Sequence, residues 1–185
     1  NAERELKPPR RIALARDAAF SFTYPHHLAD WQASGATILP FSPLNNDPVP
    51  EADEVFLPGG YPELYAAQLA ANKTFMQSLK KAAQHSDIYG ECGGYMTLGE
   101  TLIDADGTAH KMAGLLGLTT SFADRKLHLG YRHLTDHRTH ARFTAHEFHY
   151  ASTLDAQGTP LFDATDAEST ALPPMGLHEG RVRGS

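Results

Sequence analysis

The residues Gly90-Glu91-Cys92-Gly93-Gly94, set directly after the apolar pair Ile88-Tyr89, place the only cysteine of the chain in the pattern G-x-C-x-G. A nucleophile on a sharp strand-to-helix turn needs small neighbours, because the backbone there is strained and flanking side chains would block an incoming substrate. Three glycines in five residues make a poor core strand. Tyr95, Met96 and Leu98 then supply a short apolar stripe ahead of Gly99, as expected of a helix packed on a sheet. The pattern marks Cys92 as a candidate nucleophile and fixes a strand-turn-helix unit around which the rest must be built.

One cysteine cannot form an internal bridge, and a chain of 185 residues does not need one, since it can bury roughly 70% of its unfolded surface. A free thiol suits a reducing compartment, so a cytoplasmic setting is expected. No apolar run approaches the roughly 18 residues of a membrane span, and Asn1 to Arg10 lack the apolar core of a signal peptide. With a net charge of −6 and scattered Lys and Arg, no nucleic-acid-binding surface is expected. Residues 1–10, polar and proline-containing, read as a linker or domain boundary, and 11–185 as one domain.

Arg11 to Ala15, Thr37 to Phe41 and Glu54 to Leu57 are short apolar runs suited to buried strands. Between the first two, Pro25 opens a helical pattern through Leu28, Trp31 and Gln32 that Gly35 is placed to end. Helical patterns follow from Pro62 to Ala71 and from Thr74 to Gln84, and then the strand ending at Gly90. This alternation predicts an α/β fold with a mostly parallel central sheet, helices on both faces, and ligands at the carboxyl ends of the strands. Beyond Gly99, Leu115 to Leu118 is a strand candidate. Leu127, Leu129 and Tyr131 alternate with polar residues, and a turn near Asp136 to His140 leads into Phe143 to Tyr150, predicting an added antiparallel hairpin. Pro160 and Pro173-Pro174 punctuate the remainder, and Gly180 to Ser185 reads as a strand.

A catalytic cysteine needs a base and a lowered pKa, which the amides of a helix starting at Gly93 would favour. Acyl transfer also needs donors for the developing oxyanion, and the N–H of Gly93 and the amides of the Pro58-Gly59-Gly60-Tyr61 turn are candidates. Among eleven histidines, His146 and His149 are the base candidates nearest a strand end. As members of one strand they face opposite sides, so at most one can look into the site.

Together, GECGGYMTLGE, FLPGGYPELY, HEFHYAS and RIALARDAAFSFTY resemble the glutamine amidotransferase domain of the cobyrinic or hydrogenobyrinic acid a,c-diamide synthases, over Arg11 to Ser185. The resemblance implies a class I-like amidotransferase fold. It implies Cys92 as nucleophile, the amides of Gly60 and Gly93 as oxyanion hole, and Tyr61, Tyr95, His149 and Tyr150 as glutamine-binding residues. It implies glutamine as substrate, no cofactor in this domain, and an N-terminal ATP-binding synthetase domain holding ATP and Mg²⁺. There a corrinoid's a and c carboxylates would be amidated with the released ammonia. In the family the catalytic histidine follows a Gly-x-Val strand that Gly180-Arg181-Val182 matches, which places it a few positions past Ser185. These 185 residues alone are therefore expected to hydrolyse glutamine poorly, and no ATP-binding G-x-x-x-x-G-K-[ST] motif occurs in them.

Phe122 to Arg142 carries Arg125, Lys126, Arg132, Arg138 and Arg142 against Asp124 and Asp136, a basic stretch that could face an acidic partner. His133, His137 and His140 lie near Asp136 with a spacing that does not converge on a strand and turn, so no metal site is expected. Two other classes stay open on the same fold: a non-catalytic binding module, and another cysteine hydrolase such as a γ-glutamyl hydrolase.

Overall fold

The computed structural model describes residues 10–124 and 127–185. Four of the expected strands form one parallel block: β1 (Arg11–Ala15), β2 (Thr37–Phe41), β3 (Glu54–Leu57) and β4 (Asp87–Gly90), in the order β2-β1-β3-β4. Their interiors are apolar because both faces are covered. Helix α1 (Pro25–Ala33) lays Leu28 and Trp31 on Ile12, Leu14 and Phe56, with Trp31 edge-on to Phe56 at 5.4 Å. Pro25 opens it and Gly35, at φ 82°, follows its end.

The opposite face carries a 3₁₀ turn (Pro62–Tyr65), α2 (Ala66–Ala71), α3 (Lys73–Ala82) and α4 (Gly93–Leu98). Helix α3 buries Phe75, Met76, Leu79 and Ala82, the four positions that a 3.6-residue period puts on one side. The expected helix from Pro62 to Ala71 is thus divided into a tight turn and a short helix.

Two small strands, β5 (Thr101–Ile103) and β6 (Ala109–Lys111), follow, then β7 (Gly117–Ser121), shifted two to three residues from the Leu115–Leu118 expectation. The hairpin is present as β8 (His128–Asp136) and β9 (Arg142–His149). The last strands are β10 (Ser152–Gln157), β11 (Thr159–Thr165), β12 (Ala171–Glu179) and β13 (Val182–Gly184). The large sheet runs β2-β1-β3-β4-β13-β12-β11-β8-β9, and β10-β7-β5-β6 form a second one.

The sheet is therefore mixed and less parallel than expected. β13 joins β4 in parallel, but every pairing from β13 out to β9 is antiparallel. The reason is connectivity: β8 to β9, β11 to β12 and β12 to β13 are joined by turns too short for the crossover that parallel neighbours need. Pro173 and Pro174 do not break β12. They fall where its register with β11 shifts between Phe162 and Ala164, so two prolines oppose one residue, and a bulge tolerates what a regular ladder would not.

Candidate active site

The carboxyl ends of β1, β3, β4 and β13 converge, and the site is assembled from the turns that leave them. Cys92 stands at φ 49° and ψ −106°, a conformation rare for a residue with a Cβ. Backbone bonds hold it there: its N–H donates to the Ser185 carbonyl at 2.7 Å, and its own carbonyl accepts from Met96 at 3.0 Å. Glu91 N–H reaches Leu57 at 2.9 Å, and Gly94 N–H reaches Glu91 at 2.8 Å. A Cβ on Gly94 would collide with the Leu57 carbonyl, so helix and strand meet this closely only because that residue is glycine.

The turn after β3 is pinned by the loop after β1. Phe22 N–H donates to Gly59 at 3.0 Å and Tyr61 N–H to Ala19 at 3.1 Å. A Cβ on Gly60 would strike the Ala19 carbonyl, which is why the two loops interlock so tightly. That loop is in turn held by Asp17, whose carboxylate accepts from Ala19 N–H, the Ser42 hydroxyl and Leu44 N–H, each at 2.9 Å. The result sets the Gly60 nitrogen 3.3 Å from where a Gly93 Cβ would stand, and the Cys92 Cβ 3.5 Å from the corresponding point on Gly59. Two backbone amides and one thiol thus share one corner.

Cys92 is partly exposed, with one side packed on the main core. Burial pushes its thiol above the ordinary range. The Gly93 N–H pulls the other way, and the carboxyls of Glu91 and Glu63 add to the upward push. The expectation of a thiolate favoured by the amides of α4 is corrected here: one amide does not outweigh desolvation plus two nearby acids. Burial also raises the carboxyl of Glu91. These acids were missed at the sequence level, although Glu91 is the very neighbour of the thiol.

Tyr61 sits beside the corner, half exposed and edge-on to Phe22 at 5.0 Å. Tyr95 lies one turn into α4, packed on the core and close against Gly184, and burial pushes its hydroxyl far up. His149 and Tyr150 have no described contact with this corner. On the outermost strand, His149 faces Glu147 and the Ala151 carbonyl, both at 2.9 Å, and stacks on His128 at 4.8 Å. His146, as the alternation requires, points to the opposite, exposed side. Among the described residues no imidazole contacts Cys92.

His128, Glu147 and His149 bring their ligand atoms within 4.8 Å of one another, whereas His133, His137 and His140 form no such group among the described residues. The trio suits a cation poorly. The two rings are 15° from parallel, so their in-plane lone pairs cannot meet on one ion, and Glu147 is already gripped by Arg132 at 2.6 Å. That ion pair also removes Arg132 from the basic stretch expected to face a partner. Arg125 and Lys126 of that stretch lie outside the described residues.

A Cys on a strained turn with two glycine amides beside it suits acyl transfer, and the comparisons supply the family. The model of the CobB/CobQ-like glutamine amidotransferase domain matches residues 11–185. The chain belongs to that family. It is 50% identical over 187 residues to a hydrogenobyrinate a,c-diamide synthase of Rhodobacter capsulatus, covering 97% of this chain and 43% of that protein. It is 49% identical to the synthase of the same description in Rhizobium meliloti, with 97% and 44% covered. The chain therefore spans less than half the length of these relatives. A solved glutamine amidotransferase is similar in fold at a TM-score of 0.63 and 14% identity, over 94% of this chain and 87% of that one. As a member of the CobB/CobQ-like family the chain has the α/β amidotransferase fold. No helix among its described residues is long and apolar enough to cross a membrane.

Proposed function

We propose that this chain is the glutamine-hydrolysing unit of an a,c-diamide synthase acting on a corrinoid of the hydrogenobyrinate type. The observation that carries the reading is Cys92 at φ 49° with the amides of Gly60 and Gly93 beside it. The Cys92 sulfur attacks the carboxamide carbon of glutamine, its proton passes to the leaving nitrogen, and ammonia departs as the γ-glutamyl thioester forms. Water then cleaves the thioester to glutamate and regenerates the thiol. In both tetrahedral intermediates the oxyanion takes the Gly60 and Gly93 N–H groups, and the half-exposed ring of Tyr61 flanks the glutamine chain. Tyr95, within α4, packs on the core and against Gly184. His149 and Tyr150 are left out, since Glu147 and Ala151 already engage the His149 ring and the Tyr150 ring lies against Phe148 of the same ribbon.

A thiol held protonated needs a base that arrives with the reacting complex. The Ser185 carbonyl, just after β13, already bonds the Cys92 N–H and ties the thiol's turn to that strand. The ammonia is used by an ATP-binding unit of the same polypeptide, where ATP and Mg²⁺ activate the a and c carboxylates. Relatives more than twice as long, bearing the diamide synthase description, support this.

The test is labelling with a diazoketone analogue of glutamine. Cys92 is expected to be alkylated and glutamine to protect it. Labelling that glutamine does not slow would overturn the reading in favour of a binding module. Protection by γ-glutamyl peptides but not by glutamine would favour a γ-glutamyl hydrolase.

A further inference from the structure

A hairpin lying against a protein body turns apolar side chains inward and polar ones outward. The open half of the β8–β9 ribbon does the reverse. Its facing pairs Leu129–Phe148 and Tyr131–His146 lie on the outer side, where Leu129 is 56%, Tyr131 65% and Phe148 54% exposed. The rings run on from one another, Tyr131 to His146 at 5.4 Å and His146 to Phe148 at 6.5 Å. The inner side holds the Arg132–Glu147 ion pair and the His128–His149 stack.

The ribbon also projects. β11 pairs with β8 only at His133 to Asp136, so from His128 to Arg132 the strand neighbour among the described residues is β9, itself the sheet edge. A two-stranded ribbon is marginal in water by itself, and a contiguous apolar patch on one marks a surface that something covers.

We propose that this outer face seats the ATP-binding unit of the intact protein, an inference that rests on the function proposed above for the identity of that partner. Two observations favour this occupant over a second copy. Relatives about 50% identical carry more than half their length outside the matched span, so a protein built like them has a large body of the same polypeptide available to cover this face. The ionisable groups on the ribbon's outer face are His133, His146 and Arg142, and Asp163 of β11, opposite Thr135 on the same side, is paired with His137 at 2.7 Å. Two copies meeting there would set like groups together, whereas an apolar surface fringed by Asp and Glu would complement them.

Hydroxyl-radical footprinting of the intact protein, with its mass measured by light scattering in the same solution, tests this. Phe20 and Phe75, fully buried, are the internal standards. Tyr131 and Phe148 are expected to oxidise at rates near those standards, about fivefold or more below what their exposure in this chain demands, as covering a ring at an interface core would produce. Oxidation at the rate of exposed rings overturns the proposal. Protection that comes only with a doubled mass, and disappears in a Tyr131→Glu variant that runs as a monomer, assigns the face to a second copy and also overturns it.

In the intact protein, Tyr131→Glu with Phe148→Glu is expected to lower glutamine-driven amidation about tenfold while ammonia-driven amidation stays within about twofold. Equal rates from glutamine in variant and parent count against the proposal. The footprint does not depend on the chemistry of Cys92, so protection without diazoketone labelling would remove the amidotransferase reading and leave the docking face.

Discussion

The two halves of the large sheet meet at β13 and are built by different rules. In β1, β3 and β4 the apolar residues run on without alternation, because α1 covers one face and α3 and α4 the other. From His128 to His133 in β8 and from Ala145 to His149 in β9 alternate residues face solvent, and there an ion pair and imidazoles occupy the covered side. The first half can bear strain. Cys92 at positive φ costs on the order of 1–3 kcal/mol, and it persists because Leu57, Gly94, Met96 and Ser185 bond or pack around it. The non-glycine positive-φ residues of the second half, His140 and Ser169, stand in exposed turns and donate only to the aspartates that open them, Asp136 and Asp166. Chemistry sits where the backbone is overdetermined, and contact surface where it is not.

The sharpest way to break that division is Cys92→Ala. If the parallel half alone carries the reaction, glutamine hydrolysis by the intact protein should fall by roughly 10⁴ or more while urea unfolding stays nearly unchanged. Residual hydrolysis within about tenfold of the parent would move the nucleophile elsewhere. Next in size is a pair of phenylalanines. Phe75→Ala, at a fully buried position between α3 and the sheet, should cost about 3–5 kcal/mol, whereas Phe143→Ala on the half-exposed start of β9 should cost under about 1 kcal/mol. Equal costs in urea titrations would mean that the two halves share one core after all.

A smaller contrast concerns two aspartates that each tie a turn. Asp17 holds the loop that interlocks with Gly60, and Asp136 accepts from Arg138 and Thr139 N–H at 2.7 and 2.9 Å to close the β8–β9 turn. Asp17→Ala leaves three donors without their acceptor and should cost about 1–3 kcal/mol; Asp136→Ala should cost about 1–2 kcal/mol. Only the first should also slow diazoketone labelling of Cys92, because only that turn positions the oxyanion amides. Slower labelling in the Asp136 variant would couple the hairpin to the site.

The same division governs what could be read before any coordinates. β1 to β4, α1 and the elbow were legible, since buried parallel strands are apolar without interruption and glycine at Gly90, Gly93 and Gly94 has few other uses. β5 and β6 were not, because three residues carry no usable period. β12 was hidden by Pro173-Pro174, whose exclusion from strands is relaxed at a bulge that only the register with β11 creates. Within the site, the residues offered Gly93 and the whole Pro58-Gly59-Gly60-Tyr61 turn and the family resemblance singled out Gly60, while the ionisation of Cys92 followed from neither. The chain order says that α4 starts there; it does not say how much water the Cys92 sulfur keeps, and desolvation decided the sign.

The least effect expected separates the halves by pH. Burial pulls the Glu147 carboxyl upward, but hydrogen bonds from His149 and Arg132 outweigh it and hold the group below the usual glutamate range. A carboxyl lowered on folding contributes stability above its unfolded value of about 4.3, and that contribution is lost as pH falls through the folded one. Amide protection factors in β8 and β9, corrected for intrinsic exchange, should therefore hold down to about pH 4.3 and decline below it, while those of β1 and β3 hold throughout. Arg132→Ala lets the folded value of Glu147 rise toward the ordinary one, so the decline should flatten. An unflattened decline in that variant would assign the acid sensitivity to a group other than Glu147, and the ribbon's inner ion pair would then be packing rather than a titrating tie.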